Sequence, residues 1–171
     1  MNNLNVEKID NILNKFLEEF GATAKLDEEF RCQAKVNRVI HYALYVQDYE
    51  QEWFDESVAR VDSDIVCDPF LSSFFHELGH LMTAYNFTEE DWDNYFDDVV
   101  DIEDEVYTDM PLEKLKELNF RYFNLPIERA ATEWACKYMR ENVNKVSKLW
   151  EELKPAILEC YFNLGLSSID F

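Results

Sequence analysis

The chain has 171 residues, the length of one ordinary domain, and a domain of that size buries roughly 70% of its unfolded surface. Apolar residues make up 47% and aromatics 15%, with three Gly and four Pro, a composition that excludes a disordered chain and a fibrous repeat. Thirty-six Asp and Glu against 16 Lys and Arg leave a formal net charge of −20, so the molecule's field repels polyanions: direct nucleic-acid binding is disfavoured, and basic proteins or peptides are the favoured partners.

The first twenty residues interleave apolar with charged positions and hold no long apolar run, so they read as neither a signal peptide nor a membrane span, and the expected location is the cytoplasm. They place Leu4, Ile9, Ile12, Leu13, Phe16, Leu17 and Phe20 on one side at helical spacing, with Gly21 as the stop. Over 28–50, Val36, Val39, Ile40, Ala43 and Val46 fit a helical stripe although VIHYALYV is also rich in strand formers, and helix is the reading adopted. The alternation from Ser57 to Val66 predicts one or two short strands. Asp68 as N-cap and Pro69 as first helical residue open a helix to about Tyr85.

Residues 89 to 107 read as a helix with an acidic outer face, Pro111 opens another, and Pro126 opens a third reaching about Asn142. A last helix over 144–163 turns Val146, Leu149, Trp150, Leu153, Ile157 and Tyr161 inward, with Gly165 beyond its end and Pro155 expected to kink or interrupt it. No repeat or flexible linker divides the chain, so residues 1–171 read as one domain with an acidic helical insertion at about 88–118. Cys32, Cys67, Cys136 and Cys160 show no CxxC spacing and read as free thiols in a reducing compartment.

The segment FFHELGHLMTAY contains His76, Glu77 and His80 as HExxH. On a helix, residues four apart share a face, so both imidazoles can bind one ion, while Glu77, about 100° round the axis, stays off the ion and can act as general base on a water beside it. The flanking residues Phe70, Leu71, Phe74, Phe75, Leu81 and Met82 are apolar, which turns the histidines toward the core, and two of the three histidines in the chain are spent here. Gly79 inside a helix costs roughly 1 kcal/mol relative to Ala, and is understandable if another backbone must come close. The alternatives are a hydrogen-bonded structural histidine pair and a zinc ion held without catalysis.

A third protein ligand is needed, and no histidine follows His80, so a carboxylate is expected. In PIERAATEWACKYM, Glu128 shares a helical stripe with Ala131, Thr132 and Ala135, small residues that would let this helix approach Gly79. Glu133 points about 140° away and shares its stripe with Lys137 and Arg140, so it is expected on the surface in an ion pair with Lys137.

On these residues the sequence resembles the gluzincin zinc metallopeptidases, whose HExxH helix is followed by a helix supplying Glu in a pattern close to ExxA(D/N)xxA, and within them the small cytoplasmic zincins of the ImmA/IrrE type. Glu128, Ala131 and Ala135 match, and Thr132 stands where those proteins have Asp or Asn. The resemblance covers about residues 57–85 and 126–140. It implies a small zincin-like α+β domain, predominantly α-helical, with a short sheet edge before the HExxH helix. It further implies one Zn2+ held by His76, His80 and Glu128, and endopeptidase activity on a cytoplasmic protein with Glu77 as catalytic base.

Between His80 and Glu128 lies the most individual stretch, TEEDWDNYFDDVVDIEDEVYTDM, in which carboxylates surround Trp92, Tyr95, Phe96 and Tyr107. It lacks the central Gly of an EF-hand loop, and reads as a solvated helix face, a docking surface for a basic partner, or a nucleic-acid mimic. Tyr85, Tyr122 and Tyr138 are open candidates for stabilising an oxyanion. His41 is either a structural histidine or an electrophilic donor, the latter if 39–46 is a strand beside the cleft. No segment pairs a basic face with an apolar one, which disfavours membrane binding. The rival to the peptidase is an acidic binding module or nucleic-acid-mimicking inhibitor with a structural or vestigial zinc site.

Overall fold

A computed structural model describes residues 3–27, 33–35, 37–42, 69–107 and 109–163. The apolar stripe at the start of the chain forms helix α1 (Asn3–Leu17), which buries Ile9, Leu13 and Leu17 completely. A 3-10 turn (Glu18–Phe20) extends it to Gly21, whose φ of 60° is left-handed and suits a residue without Cβ.

Three short strands follow, β1 (Thr23–Leu26), β2 (Gln33–Lys35) and β3 (Val39–Tyr42), in the order β1-β3-β2. The central β3 pairs in parallel with β1, Thr23 opposite Val39 through Leu26 opposite Tyr42, and antiparallel with β2, Gln33 opposite His41. These strands correct the helix expected over 28–50. Ile40 and Tyr42 are buried while Val39 and His41 are half-buried, the period of two that a strand imposes, and β1 supplies the hydrogen-bonding partner that makes extended backbone favourable. Asn14 joins α1 to this sheet, its Oδ1 accepting from the Ala24 N–H at 2.8 Å and its Nδ2 donating to the Ala24 carbonyl at 3.1 Å. Among the described residues the sheet edge beside the HExxH helix is β2. The strands expected within 57–66 and the Asp68 cap lie outside the described residues.

The HExxH helix is α2 (Pro69–Thr83), continued by a 3-10 turn (Ala84–Asn86). Phe70, Leu71, Phe74, Phe75 and Leu78 bury its apolar face. Then come α3 (Glu89–Asp104), α4 (Leu112–Phe123), α5 (Pro126–Glu141) and α6 (Val143–Asn163). Thr88 caps α3 by accepting from the Asp91 N–H while the Asp91 carboxylate accepts from the Thr88 N–H, a reciprocal capping box. Helix α6 runs through Pro155 without the interruption that is one of the two expected effects. Pro155 is solvent-exposed, and Leu153, Ala156 and Ile157 fix the helix from its buried side.

The result is an α+β domain, predominantly helical, with a small three-stranded sheet. Helix α1 lies between β1 and α6, α2 packs on β2 and β3, and α5 packs along α2. Phe16, Phe20, Phe74, Phe75, Trp134 and Tyr138 form an aromatic cluster where α1, α2 and α5 meet, with Trp134 and Tyr138 stacked at 5.2 Å. Cys136 and Cys160 are buried; Cys32 and Cys67 lie outside the described residues. Among the described residues no helix is long and apolar enough to cross a membrane.

Candidate metal centre

The α2–α5 contact positions the site. At Gly79 the two helices come so close that a Cβ would lie 2.3 Å from the Ala131 carbonyl oxygen, a contact no side chain tolerates. The small stripe Ala131, Thr132 and Ala135 of α5 faces this point and is buried. Close approach brings Glu128, only 1% exposed, over the two histidines four residues apart on α2.

Glu128 Oε2 lies 3.0 Å from His76 Nε2 and 3.4 Å from His80 Nε2, and the two Nε2 atoms are 3.0 Å apart. A tetrahedral ion with nitrogen ligands at about 2.0–2.1 Å separates neighbouring donor atoms by about 3.3 Å, so this triangle has the size the ion requires. Three lone-pair donors converging in a buried place repel one another unless a proton or a cation lies between them. The group His76, His80 and Glu128 can therefore hold a metal ion.

Surrounding contacts set the orientation of each ligand. His76 Nδ1 is 3.0 Å from Thr132 Oγ1. When Nε2 serves as ligand, Nδ1 carries the hydrogen and donates it to the hydroxyl, which fixes tautomer and ring angle. Thr132 thus does with a hydroxyl what the resemblance leads one to expect of Asp or Asn. The other oxygen of Glu128, Oε1, accepts from Tyr95 Oη at 2.5 Å and from Tyr122 Oη at 3.0 Å. Burial, with the Glu128 charge beside them, pushes both phenols well above the usual tyrosine range, so both stay protonated donors.

Two buried carboxyls here have environments that act on them in opposite directions. Burial alone would push Glu128 up, but hydrogen bonds and charge from His76 and His80 outweigh it and hold the carboxyl well below the usual range. Burial pushes Glu77 up, against the lowering effect of His80 and His76. Its Oε2 accepts from the Ala34 N–H of β2 at 2.6 Å, which ties the side chain to the sheet edge rather than to the ligand triangle. The two carboxyls are thus shifted in opposite directions, Glu128 toward the ionised form and Glu77 toward the protonated one.

A cleft of about 640 Å³ opens beside the triangle. It is lined by Ala34 and Lys35 of β2, His80 and Leu81 of α2, and Trp92, Tyr95 and Phe96 of α3. Of the tyrosines named from sequence, only Tyr122 reaches the site. Tyr85 is 82% exposed, and Tyr138 belongs to the aromatic cluster with its hydroxyl 3.4 Å from Glu19. His41 is on a strand, yet its Nδ1 faces Asp27 at 3.4 Å and it does not line the cleft. Glu133 is exposed as expected, but pairs with Arg129 at 3.7 Å instead of Lys137. The residue missed from sequence is Tyr95. The signal for it is the stripe Trp92, Tyr95, Val99 and Ile102, which marks the inward face of an otherwise acidic helix.

Compared with protein families, with characterised proteins and with solved structures, the chain finds no match in any of the three.

Proposed function

We propose that the protein is a zinc-dependent endopeptidase that hydrolyses peptide bonds of a basic protein substrate in the cytoplasm. The observation that carries this reading is the pairing of a buried His76–His80–Glu128 triangle with a second buried carboxyl, Glu77, held off that triangle on the same cleft. A purely structural metal site has no use for such an acid beside an open cleft. Bound there, zinc would supply Lewis acidity toward a water and the scissile carbonyl.

The chain's own residues would do the rest. Glu77 takes the proton of the attacking water at Oε1 or Oε2 and passes it to the departing amine. Ala34 N–H holds that carboxyl in place, and Thr132 holds His76. Among the described residues β2 is an edge strand, and its backbone groups would offer a line along which an extended peptide can lie. Aromatic rings of α3 bound the cleft, and its exposed carboxylates favour a cationic approach.

Elemental analysis of protein purified without chelator, followed by cleavage of a peptide library, tests the reading. Stoichiometric zinc and cleavage lost in Glu77→Gln support it. Zinc without cleavage favours the acidic binding module with a structural site, and absence of zinc removes the enzyme.

A further inference from the structure

Glu128 is a buried carboxylate whose two oxygens have different neighbours. Oε2 faces His76 and His80, while Oε1 receives two hydroxyl hydrogen bonds, from Tyr95 on α3 and from Tyr122 on α4. A carboxylate oxygen offers about two lone-pair directions, so Oε1 is saturated and Oε2 alone remains for a cation. The two phenols are themselves 3.5 Å apart, so each limits where the other can stand.

Among the described residues little else holds helix α3. Ile102 is its only buried residue, and most of its surface is carboxylate turned to solvent. Past its end, Glu105 meets Lys114 and Arg121 of α4, exposed ion pairs of the kind that contribute little. The Tyr95 hydroxyl is the point at which this helix reaches the metal ligands.

We infer that Tyr95 and Tyr122 are positioning residues that fix Glu128 as a one-oxygen ligand, and that Tyr95 thereby couples docking of the acidic helix α3 to occupancy of the metal site. The inference rests on the metal-binding part of the proposed function and is independent of whether peptides are cleaved. Linkage is reciprocal: an ion that needs Glu128 held in one orientation favours docked α3, and whatever draws α3 away loosens the ion by the same factor. A basic partner attracted to the carboxylates of α3 would act on the site by this route.

The experiment measures the zinc dissociation constant by competition with a chromophoric chelator for wild type, Tyr95→Phe, Tyr122→Phe and the double variant. Amide hydrogen exchange over 89–104 is followed with and without zinc. Each single variant should bind zinc about 10-fold more weakly and the double variant up to about 100-fold, the range found when groups that orient metal ligands are removed. Tyr85→Phe, altering an exposed ring, should bind as wild type does. Zinc should slow exchange across α3 in wild type and have no such effect in Tyr95→Phe, a response that needs no variant beyond the first and survives if the double variant fails to fold. A double variant that binds zinc as tightly as wild type, or α3 exchange in wild type indifferent to zinc, overturns the inference alone. A wild type that binds zinc and cleaves nothing removes the peptidase and leaves the inference standing; one that binds no zinc removes both.

Discussion

Gly79 and Ala131 touch backbone to backbone: a Cβ on Gly79 would come within 2.3 Å of the Ala131 carbonyl oxygen and 2.9 Å of its carbon. In an isolated helix Gly79→Ala would stabilise by about 1 kcal/mol. Here the added methyl group meets main chain that cannot rotate away, so α2 and α5 must separate. Overpacking of this kind costs about 1–3 kcal/mol, and the net effect is expected to be destabilising. Urea unfolding measures it, and zinc affinity should fall with it, since the same approach carries Glu128 to the histidines. A Gly79→Ala protein more stable than wild type would mean that the helices are not so close.

The choice between two glutamates of one helix makes the second prediction. Glu128→Ala removes one of three ligands and should weaken zinc binding at least 100-fold, a step larger than the loss of an orienting group. Glu133→Ala removes an exposed carboxylate paired with Arg129 at 3.7 Å. It should change stability by no more than about 0.5 kcal/mol and leave zinc in place. Isothermal titration with zinc separates the two, and the opposite ranking would displace Glu128 from the site.

Glu77→Gln should keep both fold and zinc while abolishing hydrolysis. The amide oxygen still accepts from the Ala34 N–H, now 2.6 Å from the carboxylate, but an amide cannot take a proton from water. Glu77→Leu goes further, leaving that N–H unpaired at a partly buried edge, and should lose about 1–3 kcal/mol of stability. A melting temperature that falls for Leu and not for Gln distinguishes the anchoring role from the chemical one.

Local patterns in the sequence carried the site further than the sheet. His76, Glu77 and His80 are legible because one helix turn sets their relation, and Glu128 because small residues on its stripe match Gly79 on the facing helix. The strands at 33–35 and 39–42 are not, because Val36, Val39, Ile40 and Ala43 happen to satisfy helical spacing as well as extended spacing. What decides between them is pairing with Thr23–Leu26, a partner sixteen positions earlier in register. Tyr95 is hidden for a related reason. Its stripe with Trp92, Val99 and Ile102 marks an inward face but not the partner, which is Glu128 across 33 residues of chain.

The last prediction concerns the carboxylates that Tyr95 has around it. Asp97, Asp98, Asp101 and Asp104 are all exposed on α3, a helix that lines the cleft. At 0.01 M salt the Debye length is about 30 Å, long enough for this face to attract a cationic peptide before contact, whereas at 0.15 M it is about 8 Å. Association of a basic peptide should therefore slow markedly over that interval, and neutralising the four residues as Asn should flatten the dependence while leaving turnover of bound peptide nearly unchanged. The four side chains point to solvent, so these substitutions should not disturb the Tyr95–Glu128 contact, and the zinc affinity of the variant serves as the control. Stopped-flow association rates at several salt concentrations make the measurement. A wild-type rate indifferent to salt would return the acidic face to the role of an ordinary solvated surface, and the partner's charge would have to be read from the cleft alone.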